Sequence, residues 1–306
     1  MRLFLSVFSA VLFVLPLLDG AAFAAGASAG RPPYGDNPAA GAYVQADGAR
    51  IYYESYGEGK PIFLFHGGGA FGSPEGIAPL IEALRKERRV IVVSTRGHGR
   101  SEAGSTPIRF ERKAEDMLAV MRCVTDAPAA VLGFSDGGYI AYMLANRHPE
   151  AVERIVTIGA GTVWPGFYPP TTLSEADMDA MDSGSMAALR RIMPEPGRLR
   201  ELLNDTLKSW HTMDFGKDLL GAIRCPALLI AGDEDGDAPL LTMVEAHQFL
   251  PGSRLFIVPK ASHAAFHDNL PLVLGAVTDF LNKDLNALAP SRKLPINTVP
   301  PFGPRR

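Results

Sequence analysis

The feature that most constrains this chain is a series of six short apolar runs, Ile62–Phe65, Val90–Val93, Ala129–Leu132, Ile155–Ile158, Leu228–Ala231 and Leu255–Val258. They are continuously apolar rather than alternating, which fits strands buried on both faces of a mostly parallel sheet. Helical periodicity fills most of the intervals, at Ile77–Lys86, Phe110–Val124, Gly137–Arg147, Thr242–Phe249 and Leu272–Leu281. Such alternation predicts an α/β architecture, a central sheet flanked by helices. A hairpin precedes it, with Tyr43-Val44 and Ile51-Tyr52-Tyr53 joined by Asp47-Gly48, a dipeptide suited to a tight turn. One interval breaks the rhythm. Gly161 to Ile223 has no strand pattern, is interrupted by Pro165, Pro169-Pro170, Pro194 and Pro196, and holds Trp164, Trp210 and five of the ten methionines. It reads as a small helical lid, 161–223, inserted between core segments 41–160 and 224–284.

With 306 residues, 47% hydrophobic and 21% charged, the chain can bury a sizeable core, which excludes wholly disordered and collagen-like classes. A formal charge of −3 supplies no basic field for nucleic acid. Cys123 and Cys225 lie far apart without C-x-x-C or histidine pairing, so no metal site is expected; both read as buried thiols. Met1-Arg2, the apolar run Leu3–Leu18 and the small residues after it read as a signal peptide, 1–24, with cleavage as late as 29. The alternative is an uncleaved anchor, but the run falls short of the ~20 residues a spanning helix needs. A secreted or periplasmic protein without stable membrane insertion is therefore expected, with a loose linker at 25–40 and a flexible tail at 285–306.

Chemistry concentrates where the run Ala129–Leu132 enters Gly133-Phe134-Ser135-Asp136-Gly137-Gly138 and then a helix. G-x-S-x-G between strand and helix projects a serine hydroxyl from a sharp turn, and the next N–H, that of Asp136, lies at a helix N-terminus suited to an oxyanion. A serine needs a base, and the base needs an orienting acid. After Leu228–Ala231 come Asp233, Asp235 and Asp237, of which Asp235 is preferred; after Leu255–Val258 comes His263, with His267 as its rival. These loops follow strand carboxyl ends, where open α/β sheets place their chemistry. His66-Gly67-Gly68-Gly69 after Ile62–Phe65 supplies further unobstructed N–H groups, Gly68 among them, for the oxyanion hole.

Gly67-Gly68-Gly69-Ala70-Phe71-Gly72 also satisfies G-x-G-x-x-G, and Arg96 after the next run suits a 2′-phosphate, so an NADP-dependent oxidoreductase is a remote alternative. It accounts for neither the elbow nor Asp235 and His263. No cofactor is expected.

On these residues the sequence resembles the α/β-hydrolase family over about Tyr43 to Asn282. Arg96-Gly97-His98-Gly99-Arg100-Ser101 looks like the family's R-G-x-G-x-S turn, the Gly232-x-x-Asp235 spacing matches its acid, and Ala261-Ser262-His263 lines up with its small-Gly-His. Asp-Gly-Gly after the serine, Phe110-Glu111-Arg112 and Pro251-Gly252-Ser253-Arg254-Leu255 look most like the valacyclovir hydrolase branch. The resemblance implies a serine hydrolase cleaving an ester or related acyl bond of a small-molecule substrate. In that branch the acidic residue after the nucleophile binds a substrate ammonium; here it is Asp136, which equally suits a helix N-terminus. A serine argues against the dehalogenase and epoxide hydrolase chemistries that the family runs with aspartate. Trp164 and Trp210, with Phe167, Tyr168, Met178, Met181, Met186 and Met193, either line an apolar substrate pocket or form the lid's own core. A non-catalytic ligand-binding protein of the same fold is the other alternative.

Overall fold

All six apolar runs are strands of one sheet in the computed structural model, which describes residues 32–69, 72–181 and 183–285. The signal peptide, linker residues 25–31 and all but the first residue of the tail lie outside the described residues, as do Ala70, Phe71 and Asp182. The strands are β1 (Gly41–Ala46), β2 (Ala49–Tyr56), β3 (Pro61–Phe65), β4 (Arg89–Val93), β5 (Ala129–Phe134), β6 (Val152–Ile158), β7 (Ala227–Gly232) and β8 (Arg254–Val258). Their order is β1-β2-β4-β3-β5-β6-β7-β8; β2 is antiparallel to both its neighbours and every pair from β4 to β8 is parallel. Asp47 and Gly48, with φ of 28° and 76°, close the β1–β2 hairpin with the positive dihedrals such turns need.

Side-chain alternation divides the core. Phe63, Phe65, Ile91, Val93, Val131 and Leu229 pack on one face with α2 (Phe110–Val124), α3 (Asp136–Arg147) and α8 (Leu240–Phe249). Ile62, Leu64, Val90, Val92, Leu132 and Ile230 pack on the other against α1 (Ala78–Leu84) and α9 (Leu270–Asn282). From β3 the chain steps outward to β4, then returns past β3 to β5. The loops after β3 and β5 therefore diverge at one end of the sheet, a crevice that open α/β folds use for ligands.

Between β6 and β7 lie α4 (Glu175–Ala180), α5 (Ser183–Ile192), α6 (Leu199–Thr212) and α7 (Lys217–Ala222), with no strand among the described residues. Met178, Met186, Met193, Leu199, Leu202 and Leu203 bury one another there together with Ala103 and Ile108. For those three methionines the structure chooses the segment's own core over a substrate pocket.

Two expectations need correction. The described part of the linker is docked, not loose: Tyr34 is 2% exposed, its hydroxyl donates to Glu82 at 2.5 Å, and the N–H groups of Gly35 and Asn37 donate to buried Glu54 at 2.7 Å each. Cys123 is exposed, not buried, and both cysteines are free; its position near the end of α2 turns it away from the apolar stripe. Burial pushes the Cys225 thiol up to about 12.

Candidate active site

Ser135 stands between β5 and α3 with φ 51° and ψ −119°, a conformation that costs a non-glycine residue free energy and persists only where its surroundings enforce it. The surroundings here are backbone. A Cβ on Gly133 would lie 2.0 Å from the Gly137 carbonyl, and one on Gly137 would lie 2.1 Å from the Phe65 carbonyl. Glycine at both places lets α3 start directly against β3 and β5. The Ser135 N–H donates to the Ile158 carbonyl at 2.8 Å, fixing the turn to the end of β6.

Three loops converge on this serine. His263, after β8, places Nε2 2.9 Å from Ser135 Oγ and Nδ1 2.9 Å from Asp235 Oδ2. Asp235, after β7, is held by the N–H groups of Asp237 and Ala238, both donating to Oδ1 at 2.8 Å. Burial works against a charged His263, but the hydrogen bond and charge of Asp235, supported by Asp237 and Asp136, outweigh it and hold the imidazole above its ordinary value. Phe134 packs on the same ring, centroids 5.0 Å apart. The rivals fall elsewhere: His267 Nε2 meets the Gly76 carbonyl at 3.0 Å, and Asp233 accepts from the Ala261 N–H at 3.2 Å. Asp235, Asp237 and His263 are the one group among the described residues spaced to share a metal ion. Both ring nitrogens of His263 are already engaged by Ser135 and Asp235, so the trio does not fit one.

The loop after β3 runs alongside. His66 Nδ1 lies 2.6 Å from the Gly67 carbonyl and His98 Nε2 lies 3.2 Å from the Gly69 carbonyl. Burial, and secondarily the charge of Lys113, lower His98 to about 4, so it is a neutral imidazole at physiological pH. Asp136 follows Ser135 as the first residue of α3 and is 3% exposed. Its carboxylate does not face open solvent. Lys113 Nζ lies 3.0 Å from Oδ2, and the Trp210 indole Nε1 donates to Oδ1 at 2.7 Å. Trp210 thus comes to the serine turn from α6, while Trp164 stays 38% exposed, edge-on to Phe167 at 4.8 Å.

Arg96 overturns the dinucleotide alternative. Its side chain is fully buried, with Nε and Nη2 at 2.8 and 2.6 Å from Asp116 and Nη1 donating to the Ala103 carbonyl at 3.1 Å, so the guanidinium is enclosed among partners of the fold and is not presented to a 2′-phosphate. Lys113 was not singled out from the sequence. Its signal was present: Phe110, Lys113, Ala114, Met117 and Met121 fall at the spacing of one buried stripe, and a lysine there requires a buried partner.

A family model for the alpha/beta hydrolase fold matches residues 60–183. The chain is 25% identical over 236 residues to the serine hydrolase BPHL of Mus musculus, covering 72% of this chain and 79% of that protein. It is 28% identical over 249 residues to a pimeloyl-(acyl-carrier protein) methyl ester esterase of Vibrio campbellii, covering 71% and 92%. Among solved structures it is similar to the enol-lactonase of Burkholderia xenovorans LB400, with TM-score 0.63 and 26% identity over 79% of this chain and 100% of that one. The fold is the α/β-hydrolase fold. The chain shares this fold and is similar in sequence to a serine hydrolase, in line with the resemblance to the valacyclovir hydrolase branch.

Proposed function

We propose that the protein is a serine hydrolase that cleaves a carboxylic ester, or a related acyl bond, of a small to medium substrate through an acyl-enzyme. The observation that carries this is the continuous relay from Ser135 Oγ to His263 Nε2 at 2.9 Å and from His263 Nδ1 to Asp235 at 2.9 Å. Ser135 Oγ attacks the acyl carbon while His263 takes its proton, and Asp235 stabilises the imidazolium. The carbonyl oxygen gains negative charge opposite the N–H groups of Gly68 and Asp136. His263 returns its proton to the leaving oxygen, freeing the alcohol. Water then attacks the acyl-enzyme with His263 as base, releasing the acid and restoring Ser135.

The relatives named as a methyl ester esterase and an enol-lactonase act on acyl–oxygen bonds, which supports this bond class. With the Asp136 carboxylate engaged by Lys113 and Trp210, the substrate is a neutral ester rather than an ammonium-bearing one. The amino-terminal segment directs export, so the reaction takes place outside the cytoplasm. No helix among the described residues is long and apolar enough to cross a membrane.

The test is a fluorophosphonate probe with mapping of the adduct, together with a chain-length series of p-nitrophenyl esters. Ser135 is the expected adduct, short to medium chains are the expected optimum, and Ser135→Ala is expected to lower kcat by at least ~10³-fold. Folded protein that binds esters without turnover or labelling would return the reading to a non-catalytic binding protein.

A further inference from the structure

Lys113 has no part in the relay of Ser135, His263 and Asp235, yet its ammonium is buried beside it. The side chain is 2% exposed and Nζ lies 3.0 Å from Asp136 Oδ2. Asp136 in turn touches both proposed oxyanion donors. Its own N–H is one, and its carboxylate packs beneath the other: a Cβ added to Gly68 would lie 2.2 Å from Asp136 Oδ2 and 2.4 Å from Cγ. Trp210 donates to the remaining oxygen at 2.7 Å, and the same ring would lie 3.4 Å from a Cβ on Gly69. A lone carboxylate against Gly68 opposes the negative charge that grows on the substrate carbonyl, and poor screening in a buried site magnifies that opposition. An ammonium on the same carboxylate cancels the charge and fixes the side chain under the loop.

We propose that Lys113 is a positioning residue for the oxyanion site: it balances the Asp136 carboxylate and fixes it beneath Gly68, so that the two N–H groups receive the developing oxyanion without an opposing charge. This rests on the serine-hydrolase reading above. It also assigns Trp210 a place in the same support, as the donor that holds the second carboxylate oxygen from α6.

The test compares the full chain with Lys113→Met, Lys113→Arg, Asp136→Asn and the double variant Lys113→Met/Asp136→Asn, each shown folded by circular dichroism at the assay temperature. kcat and KM are measured on a neutral p-nitrophenyl ester, with fluorophosphonate labelling of Ser135 as the control. Lys113→Met is expected to lower kcat by at least ~10-fold and to move KM by less than about 3-fold, with Lys113→Arg recovering most of the loss. In the Asp136→Asn background, where no charge needs balancing, Lys113→Met is expected to change kcat by less than about 3-fold. Folded Lys113→Met with wild-type kcat overturns the inference. So does a loss in the Asp136→Asn background as large as in the wild type; if Lys113→Met alone fails to fold, the double variant is compared with Asp136→Asn directly, and a fall in kcat of ~10-fold or more between those two overturns the inference. Wild-type protein that neither turns over nor labels at Ser135 overturns the serine-hydrolase reading instead, and this inference with it.

Discussion

At the scale of single residues, His263 sets the pH behaviour. Its imidazole must be neutral to accept the Ser135 proton, and Asp235 holds its pKa above the ordinary value. kcat/KM is therefore expected to rise with pH along an acidic limb whose midpoint lies above the ordinary histidine value. The stability contribution runs the other way: the protonated pair stabilises the fold below the unfolded-state pKa, and that contribution is lost as pH rises through the higher folded pKa. Asp235→Asn removes the group that raises the pKa. It is expected to lower kcat by ~10⁴-fold and to move the acidic midpoint downward, since burial is then opposed only by the charges of Asp237 and Asp136. A pH–rate profile of both proteins checks this, and an unmoved midpoint would assign the limb to another group.

At the scale of elements, the serine turn depends on how closely α3 starts against the sheet. Gly137→Ala would put a methyl 2.1 Å from the Phe65 carbonyl, where backbone on both sides leaves little room to yield. A loss of about 3 kcal/mol or more is expected, at the upper end of overpacking costs, read as a fall in urea midpoint. A second junction joins α2 to the loop after β4, where buried Asp116 accepts from Arg96 at 2.6 and 2.8 Å. Asp116→Ala leaves a fully buried guanidinium without its counter-ion, which costs about 3–5 kcal/mol. Calorimetry is expected to show a correspondingly lower Tm, and an unchanged Tm would mean that the pair contributes no net stability.

At the scale of the whole molecule, the two faces of the sheet carry the two larger apolar cores, and the amino-terminal segment attaches to them through buried Tyr34 and through a polar anchor. Glu54 on β2 is fully buried. It accepts from the N–H groups of Gly35 and Asn37 and from the hydroxyls of Tyr52 and Tyr56. In the docked linker, Asp36 pairs with Arg100 of the core at 2.6 Å and with exposed Arg191 of α5 at 3.0 Å. The first pair is better shielded, and surface pairs of the second kind contribute little. Glu54→Ala leaves several buried donors unsatisfied and is expected to destabilise by about 3 kcal/mol or more, with proteolysis opening first near residues 33–40. The helical segment between β6 and β7 has its own small core, also packs Met213, Phe215, Leu220 and Ile223 into the main core, and reaches the serine turn through Trp210 and the acid loop through the Tyr168 hydroxyl, which donates to the Asp237 carbonyl at 2.9 Å.

By itself the sequence determined the sheet strands, the helices that cover them, the serine turn and the loops that carry Asp235 and His263. Those features rest on local periods and on turn residues, such as Gly133 and Gly137, whose requirement for no side chain is set within a few positions. It also held the stripe of α2 on which Lys113 lies, although nothing local told what a buried ammonium would meet there. Only the tertiary structure decided that. Lys113, Asp136 and Trp210 come from α2, α3 and α6, and their contacts span 23 and 74 residues of chain. The choice of Asp235 over its neighbours, the docking of Tyr34 and Gly35 and the closure of Arg96 onto Asp116 are likewise distance and burial effects. A buried charge is stable only with a partner in place, and which group becomes the partner depends on how the elements pack.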